Sequence, residues 1–232
     1  SKLGLSKLSR CPTMLINCSA YTEGKKIADM PVAEISDYLA TPGAFVWVAM
    51  RDASPEELAV MQEEFGLHEL AVEDALRGNQ RPKVEEYGDT LFVVVKTVEQ
   101  DDKDKDEYKV GEVDIFVGPN FVMSSRRESS QDFIGVRARS EREPQLLRLG
   151  PTFVLYALLD AVVDRYFPLA EGLERELERI EDRIFVRESQ RHNIERLYAL
   201  KSRVLVLRHA VVPLMETVGK LYGGRVPAMF LG

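Results

Sequence analysis

A chain of 232 residues, 45 % hydrophobic and 30 % charged, has enough apolar material for one large core or two small ones. Its formal charge of −7 excludes a general basic surface for nucleic acid and leaves room for cations or basic partners. Two cysteines, Cys11 and Cys18, make no disulfide framework and point to a reducing compartment.

The first residues, SKLGLSKLSRCP, lack the continuous apolar region of a signal peptide. No apolar run reaches the roughly 20 residues that a bilayer span needs, so the chain as written reads as soluble. TMLINCSA (13–20) predicts a first strand, PVAEISDYLA (31–40) a short helix opened by proline, and AFVWVAM (44–50) a buried strand. A helix follows over PEELAVMQEEFGL, with Ser54 as its cap. The next helix, LHELAVEDAL, ends on two adjacent acids, Glu73 and Asp74. Residues 84–125 turn β-rich in VEEY, TLFVVVKTV, VGEVDIFVG and FVMSSR, joined by turn residues, which predicts antiparallel hairpins. EQDDKDKDE (99–107) alternates acids with lysines and reads as a solvated hairpin tip.

The remainder is helical, starting with residues 129–142. Residues 151–186 lack any internal breaker except Gly172 and Pro168, and within them Leu169, Leu173, Leu177, Ile180 and Ile184 recur every three or four positions. After the polar break RESQ the seam repeats in Ile194, Leu197, Leu200, Val204, Leu207 and Val211. The expected fold class is therefore α/β: an α+β sandwich with a mainly antiparallel sheet over residues 10–142, followed by a long antiparallel α-helical hairpin over 143–222. Residues 223–232 read as a truncated connection, with no transmembrane segment.

Enzyme signatures fail. The chain has no phosphate-cradling glycine loop, no dinucleotide fingerprint and no nucleophile elbow. His68, His192 and His209 stand apart without zinc-ligand spacing and read as ordinary helix residues. The chain is expected not to be an enzyme. What remains is carboxylate, the ligand that hard divalent cations prefer. Candidates are Glu73, Asp74, Asp160, Asp164 and the acids of 171–182. Glu73 and Asp74 diverge by about 100° around a helix, so they serve two contacts rather than clamp one ion, or simply form a solvated face. Asp160 and Asp164, one turn apart on an apolar helix, ask for a partner, an arginine as readily as a cation.

The run LHELAVEDALRGNQRPKVEEYGDTLFVVV resembles the cytoplasmic signature of CorA-type magnesium transporters, close to HPLxLEDxxxxxQRPKxExYxDxLFxVL. VLYALLDAVVDRYFPLAEGLE is similar to the start of that family's first long helix. One departure is Glu69, which follows His68 where the family commonly has proline. The resemblance implies the cytoplasmic magnesium-sensing and gating domain of a divalent-cation transporter that often also passes cobalt or nickel. Its partners are then divalent cations and copies of itself: a homo-pentamer when full length, monomeric or weakly associated as this fragment. It implies the cytoplasmic face of the inner membrane, with membrane contact only through a C-terminal stalk and spans that are missing here. Mg2+ is the implied regulatory ion. Asp74 matches the acid of a first interfacial metal site, completed by an acid on a neighbouring subunit's stalk; Glu73 and Asp160 match acids of a second, weaker site. Arg81 and Lys83 of QRPK are expected to be structural, Arg81 tying the turn to acids such as Glu85. The alternatives are the cytoplasmic domain of a related zinc transporter and a free-standing soluble regulatory module.

Overall fold

The computed structural model describes residues 15–101, 103–130, 132–183 and 190–222. Residues 10–14, Ile184, Arg187 to Ser189 of the RESQ turn and residues 223–232 lie outside these.

Strand β1 (Leu15–Thr22) returns as β2 (Lys25–Asp29) through Glu23 and Gly24. Both turn residues have positive φ, 49° and 76°, the geometry that suits the twist of an antiparallel hairpin. β2 is polar and mostly exposed at the sheet edge. Its residues lack apolar alternation, so no strand is expected from them. The predicted helix over 31–40 is a 3-10 turn (Val32–Glu34) followed by the short α1 (Ile35–Leu39). β3 (Ala44–Arg51) is the buried strand its apolar run predicts. α2 (Pro55–Phe65) carries the expected cap. Ser54 Oγ accepts from the Glu57 N–H at 3.2 Å, and Glu57 Oε2 accepts from the Ser54 N–H at 2.9 Å.

α3 (Glu69–Arg77) leads into β4 (Lys83–Tyr87), β5 (Thr90–Gln100), β6 (Tyr108–Val117) and β7 (Phe121–Arg127). The strands form one sheet in the order β2-β1-β3-β7-β6-β5-β4, antiparallel except between β3 and β7. Side-chain alternation sends Val93, Val95, Val113 and Ile115 to one face, and Phe92, Val94, Phe116 and Met123 to the other. Helices cover both. The first face takes α4 (Ile134–Glu141), α5 (Pro144–Leu147), α6 (Pro151–Asp164) and the later part of α8 (Gln190–Tyr222), through Val136, Leu147, Leu158 and Leu214. The second takes α1, α2 and α3, through Ile35, Leu58, Met61 and Val72. The layers are those of the expected sandwich.

The continuous helix expected over 151–186 is interrupted at Arg165, and α7 (Tyr166–Glu181) starts there. Pro168 has no N–H for the Asp164 carbonyl, which removes one helical bond at that point. α7 and α8 pack antiparallel: Glu176 takes Arg203 at 2.7 Å and Arg196 at 3.5 Å, and Asn193 Nδ2 donates to the Arg183 carbonyl. Their seam is narrower than the spacing predicts. Leu173, Ile180 and Leu200 are buried in it, whereas Leu177, Ile194 and Val204 are exposed. Leu169 and Val211 pack on the sheet core instead. The hairpin therefore shares its apolar residues between its own seam and the sheet.

The β1–β2 turn is pinned from above. A Cβ on Gly24 would stand 2.0 Å from the Pro144 carbonyl oxygen, whereas one on Gly43 (φ 74°) would meet nothing within 4 Å. Gly43→Ala should cost about 1 kcal/mol, the left-handed backbone strain alone. Gly24→Ala should cost about 2–4 kcal/mol, because steric displacement of α5 adds to that strain. Urea midpoints of the two variants check this, and equal losses would rule out the close approach.

Candidate functional site

α3 is held at both ends by side chains. At its start His68 Nδ1 accepts from the Leu70 N–H at 3.2 Å, and its ring stacks on Tyr87 with centroids 4.4 Å apart. At its end the Arg127 guanidinium donates to the carbonyls of Ala75 at 2.7 Å and Leu76 at 3.1 Å, satisfying two of the orphan acceptors of a helix terminus. Gly78 (φ 63°) makes room for it, since a Cβ there would lie 2.8 Å from Arg127 Nη1. His68 is thus a cap rather than an interior helix residue.

Ala71, Val72 and Ala75 face the core, which leaves Glu73 pointing outward and Asp74 at the edge over β4. Glu73 pairs with Arg77 at 2.6 Å, both side chains more than half exposed. This is a weak surface pair. Asp74 is different. Its Oδ2 accepts from Lys83 Nζ at 2.6 Å with only 21 % of the side chain exposed. The same ammonium lies 2.8 Å from Glu85 Oε2, which also accepts from the Tyr87 hydroxyl at 3.1 Å. It stands 5.6 Å from the Phe92 ring centre. Burial works against the Lys83 ammonium, but its bonds to Asp74 and Glu85 outweigh that and hold it above an ordinary lysine. Lys83, not Arg81, therefore ties the turn to Glu85. Arg81 is exposed and lines a cleft of about 680 Å³ with Lys96, Arg208 and His209.

Beneath α3 lies a second charged layer that the sequence reading did not single out. Lys96 of β5 pairs with Glu112 of β6 at 2.7 Å, and the Gln80 N–H donates to the same oxygen at 2.7 Å. Two residues on, Asp114 is 2 % exposed and its Oδ1 has no hydrogen-bond partner among the described residues. Burial, then repulsion from Glu112, hold its carboxyl well above the usual carboxylate range, against the pull of Arg127 and Lys96. The clue was present: Glu112, Asp114 and Phe116 alternate onto one face of a strand whose face is buried.

Of the other candidate acids, Asp160, Glu171 and Glu176 face arginines. Asp160 of α6 pairs with Arg139 of α4 at 2.8 Å, so an arginine fills the place left open between arginine and cation. Asp164 is exposed. In α7, Glu171 faces Arg175 at 3.5 Å and Glu176 faces Arg203. The tip between β5 and β6 is solvated as expected, although Glu99 belongs to β5 and is buried, accepting from Ser129 Oγ and the Ser130 N–H, each at 2.8 Å. Glu73 and Asp160 sit on helices packed against opposite faces of the sheet, so one ion could join them only between two copies of the chain. Among the described residues no three His, Cys, Asp or Glu side chains gather as a metal-holding group, and no helix is long and apolar enough to cross a membrane.

A sandwich of this order, feeding a long helical hairpin with carboxylates at its edges, is matched by a known family model. Residues 42–229 fit the CorA-like Mg2+ transporter protein model, and the chain belongs to that family. It is 28 % identical to the putative metal ion transporter YfjQ of Bacillus subtilis over 89 % of this chain and 62 % of that one. It is 32 % identical to the cobalt/magnesium transport protein CorA of Thermotoga maritima over 68 % of this chain and 45 % of that one. The chain thus spans about half to three-fifths of these curated relatives. The soluble domain of CorA from Methanocaldococcus jannaschii shares the fold at a TM-score of 0.67 and 19 % identity, covering 91 % of this chain and 80 % of that one. The cytoplasmic domain of ZntB from Vibrio parahaemolyticus shares it at 0.57 and 12 %, covering 94 % and 85 %.

The folded state binds the Asp114 proton more tightly than the unfolded chain does. Asp114 therefore subtracts stability as pH rises from about 4, the unfolded value, up to its folded value, and no further beyond it. Asp114→Asn should remove that slope. Relative to its own offset at pH 4, the variant should gain stability over the native chain as pH rises toward neutral. Urea denaturation at matched pH reads this directly; parallel pH profiles would mean that Asp114 is ionised and paired.

Proposed function

We propose that this chain is the cation-sensing, gating portion of a transporter for divalent cations, with magnesium as the ion sensed and cobalt and nickel as further cargo. It acts on the cytoplasmic side of a membrane, within a homo-oligomer whose membrane-spanning part is not in this chain. Family membership supports the transporter class. The observation that carries the sensing role is Asp74. It is a half-buried carboxylate at a helix edge, and the cation it faces is a lysine that solvent reaches.

The residues fit a hydrated magnesium ion in part. Magnesium keeps several waters and takes one or two carboxylates, so Asp74 supplies one ligand and a second acid comes from outside this chain. Without the ion, acids facing each other across a subunit interface repel and favour separated subunits; with it they are neutralised and the closed arrangement is favoured. The ion biases gating only by its differential affinity for the two arrangements. The zinc reading is weaker on chemistry. His68 is committed to capping and stacking, and burial pushes the Cys18 thiol up to about 11, away from the thiolate that zinc needs.

In the intact transporter reconstituted in liposomes, Asp74→Ala should raise the internal Mg2+ concentration for half-inhibition of uptake by about three- to tenfold, the loss of roughly 1 kcal/mol of binding. Unchanged inhibition would remove Asp74 from the sensor.

A further inference from the structure

Lys83 is the residue that the sensing role leaves unexplained. Its ammonium spans α3 and β4, 2.6 Å from Asp74 and 2.8 Å from Glu85. The three side chains are 23 %, 21 % and 38 % exposed, so water reaches the cluster and the pair is exchangeable. We propose that Lys83 is a tethered competitor: it occupies Asp74 when no divalent cation is bound, and it must release that carboxylate before the cation can enter. Lys83 then sets the cation concentration at which the site responds. This rests on the reading of Asp74 as a cation-binding acid.

Two observations support it. First, an ammonium within hydrogen-bond distance of Asp74 stands in the space that a cation bound to Oδ2 requires, and two cations cannot share one carboxylate oxygen without strong repulsion. Second, the released ammonium has somewhere to stay. Glu85 holds it independently, Glu85 is itself fixed by the Tyr87 hydroxyl, and the Phe92 ring lies 5.6 Å from the ammonium. Displacement is a transfer from two carboxylates to one rather than expulsion into solvent.

The mechanism makes affinity a contest between charges that the sequence can tune. Removing the ammonium leaves Asp74 open and should tighten cation binding. Arginine, whose planar fork holds a carboxylate in two bonds, should weaken it. A purely structural Lys83 predicts the opposite for the first change, because losing a brace between α3 and β4 would loosen the site.

The test is the internal MgCl2 dependence of uptake by the intact transporter in liposomes, for the native sequence, Lys83→Met, Lys83→Arg, Asp74→Asn and the Lys83→Met/Asp74→Asn double variant. Methionine keeps the apolar stem beside Phe92. Lys83→Met should lower the half-inhibiting Mg2+ concentration by about three- to thirtyfold, the range for releasing one partly exposed charged hydrogen bond. Lys83→Arg should raise it, and the double variant should behave as Asp74→Asn alone. An unchanged or raised value for Lys83→Met, with Asp74→Asn still desensitised, overturns the role of Lys83 and leaves the sensor reading standing. Native-like inhibition in Asp74→Asn overturns the sensor reading itself. If Lys83→Met fails to fold, Lys83→Gln removes the same charge while keeping a hydrogen-bond donor, and carries the same expectation.

Discussion

The parallel pairing of β3 with β7 is the contact on which the rest of the arrangement depends. It joins Val46 to Arg51 with Phe121 to Arg126 at the centre of the sheet, while every other neighbour runs antiparallel. Two strands can be parallel only if the intervening chain crosses from one end to the other. Here that chain holds α2, α3 and the whole β4–β5–β6 meander. The crossing lays α2 and α3 on one face and sets the meander beyond β7. Asp74 on the helix and Lys83 on the edge strand, nine residues apart, are thereby brought to one corner. Without the central parallel pair, α3 has no fixed strand beneath it and the corner has no geometry.

Charge is layered at that corner in a consistent order. Glu73 and Arg77 are outermost and exposed; Asp74, Lys83 and Glu85 come next; Lys96 and Glu112 lie deeper, and Asp114 is sealed. Each layer inward has less water and stronger unscreened interaction, so each polar group there requires a partner or a proton. The outer layers use ion pairs. Asp114 is held well above the usual carboxylate range by its burial.

Much of this was legible in the residues. The capping box at Ser54 follows from its spacing alone, and the buried strand of β3 from an apolar run after a Pro-Gly turn. The long hairpin follows from the three-and-four spacing of Leu169, Leu173, Leu177 and Ile180, of which Leu173 and Ile180 are buried in its seam. What was hidden depends on tertiary contacts. β2 is a polar edge strand that exists because Glu23 and Gly24 turn it back onto β1, and no periodicity announces it. The interruption at Arg165 was written in Pro168, but a proline near a helix start and one that breaks a longer helix look alike until the preceding turn is seen. Asp74 stands out as a candidate carboxylate beside Glu73 and again in the family signature, whereas its lysine partner does not, because only the turn over Gly78 to Pro82 brings that lysine back beneath the helix. Leu177 and Val204 were assigned to the seam by spacing that cannot say how wide a stripe a neighbouring helix covers.

The interruption at Arg165 also settles how load passes through the helical half. α7 leaves the sandwich at a joint of one residue, while α8 runs back to it from Gln190, unbroken until Pro213, and lodges Ala210 and Leu214 in the core. Two packed antiparallel legs, one interrupted at Arg165 and one built into the core, form a bracket and not a swinging arm. A sideways push on the Glu181 end of α7, about 24 Å from the joint at 1.5 Å per residue, is shared with α8 through the Glu176–Arg203 pair. It is carried down α8 as compression or tension and reaches the sheet on the face opposite Asp74.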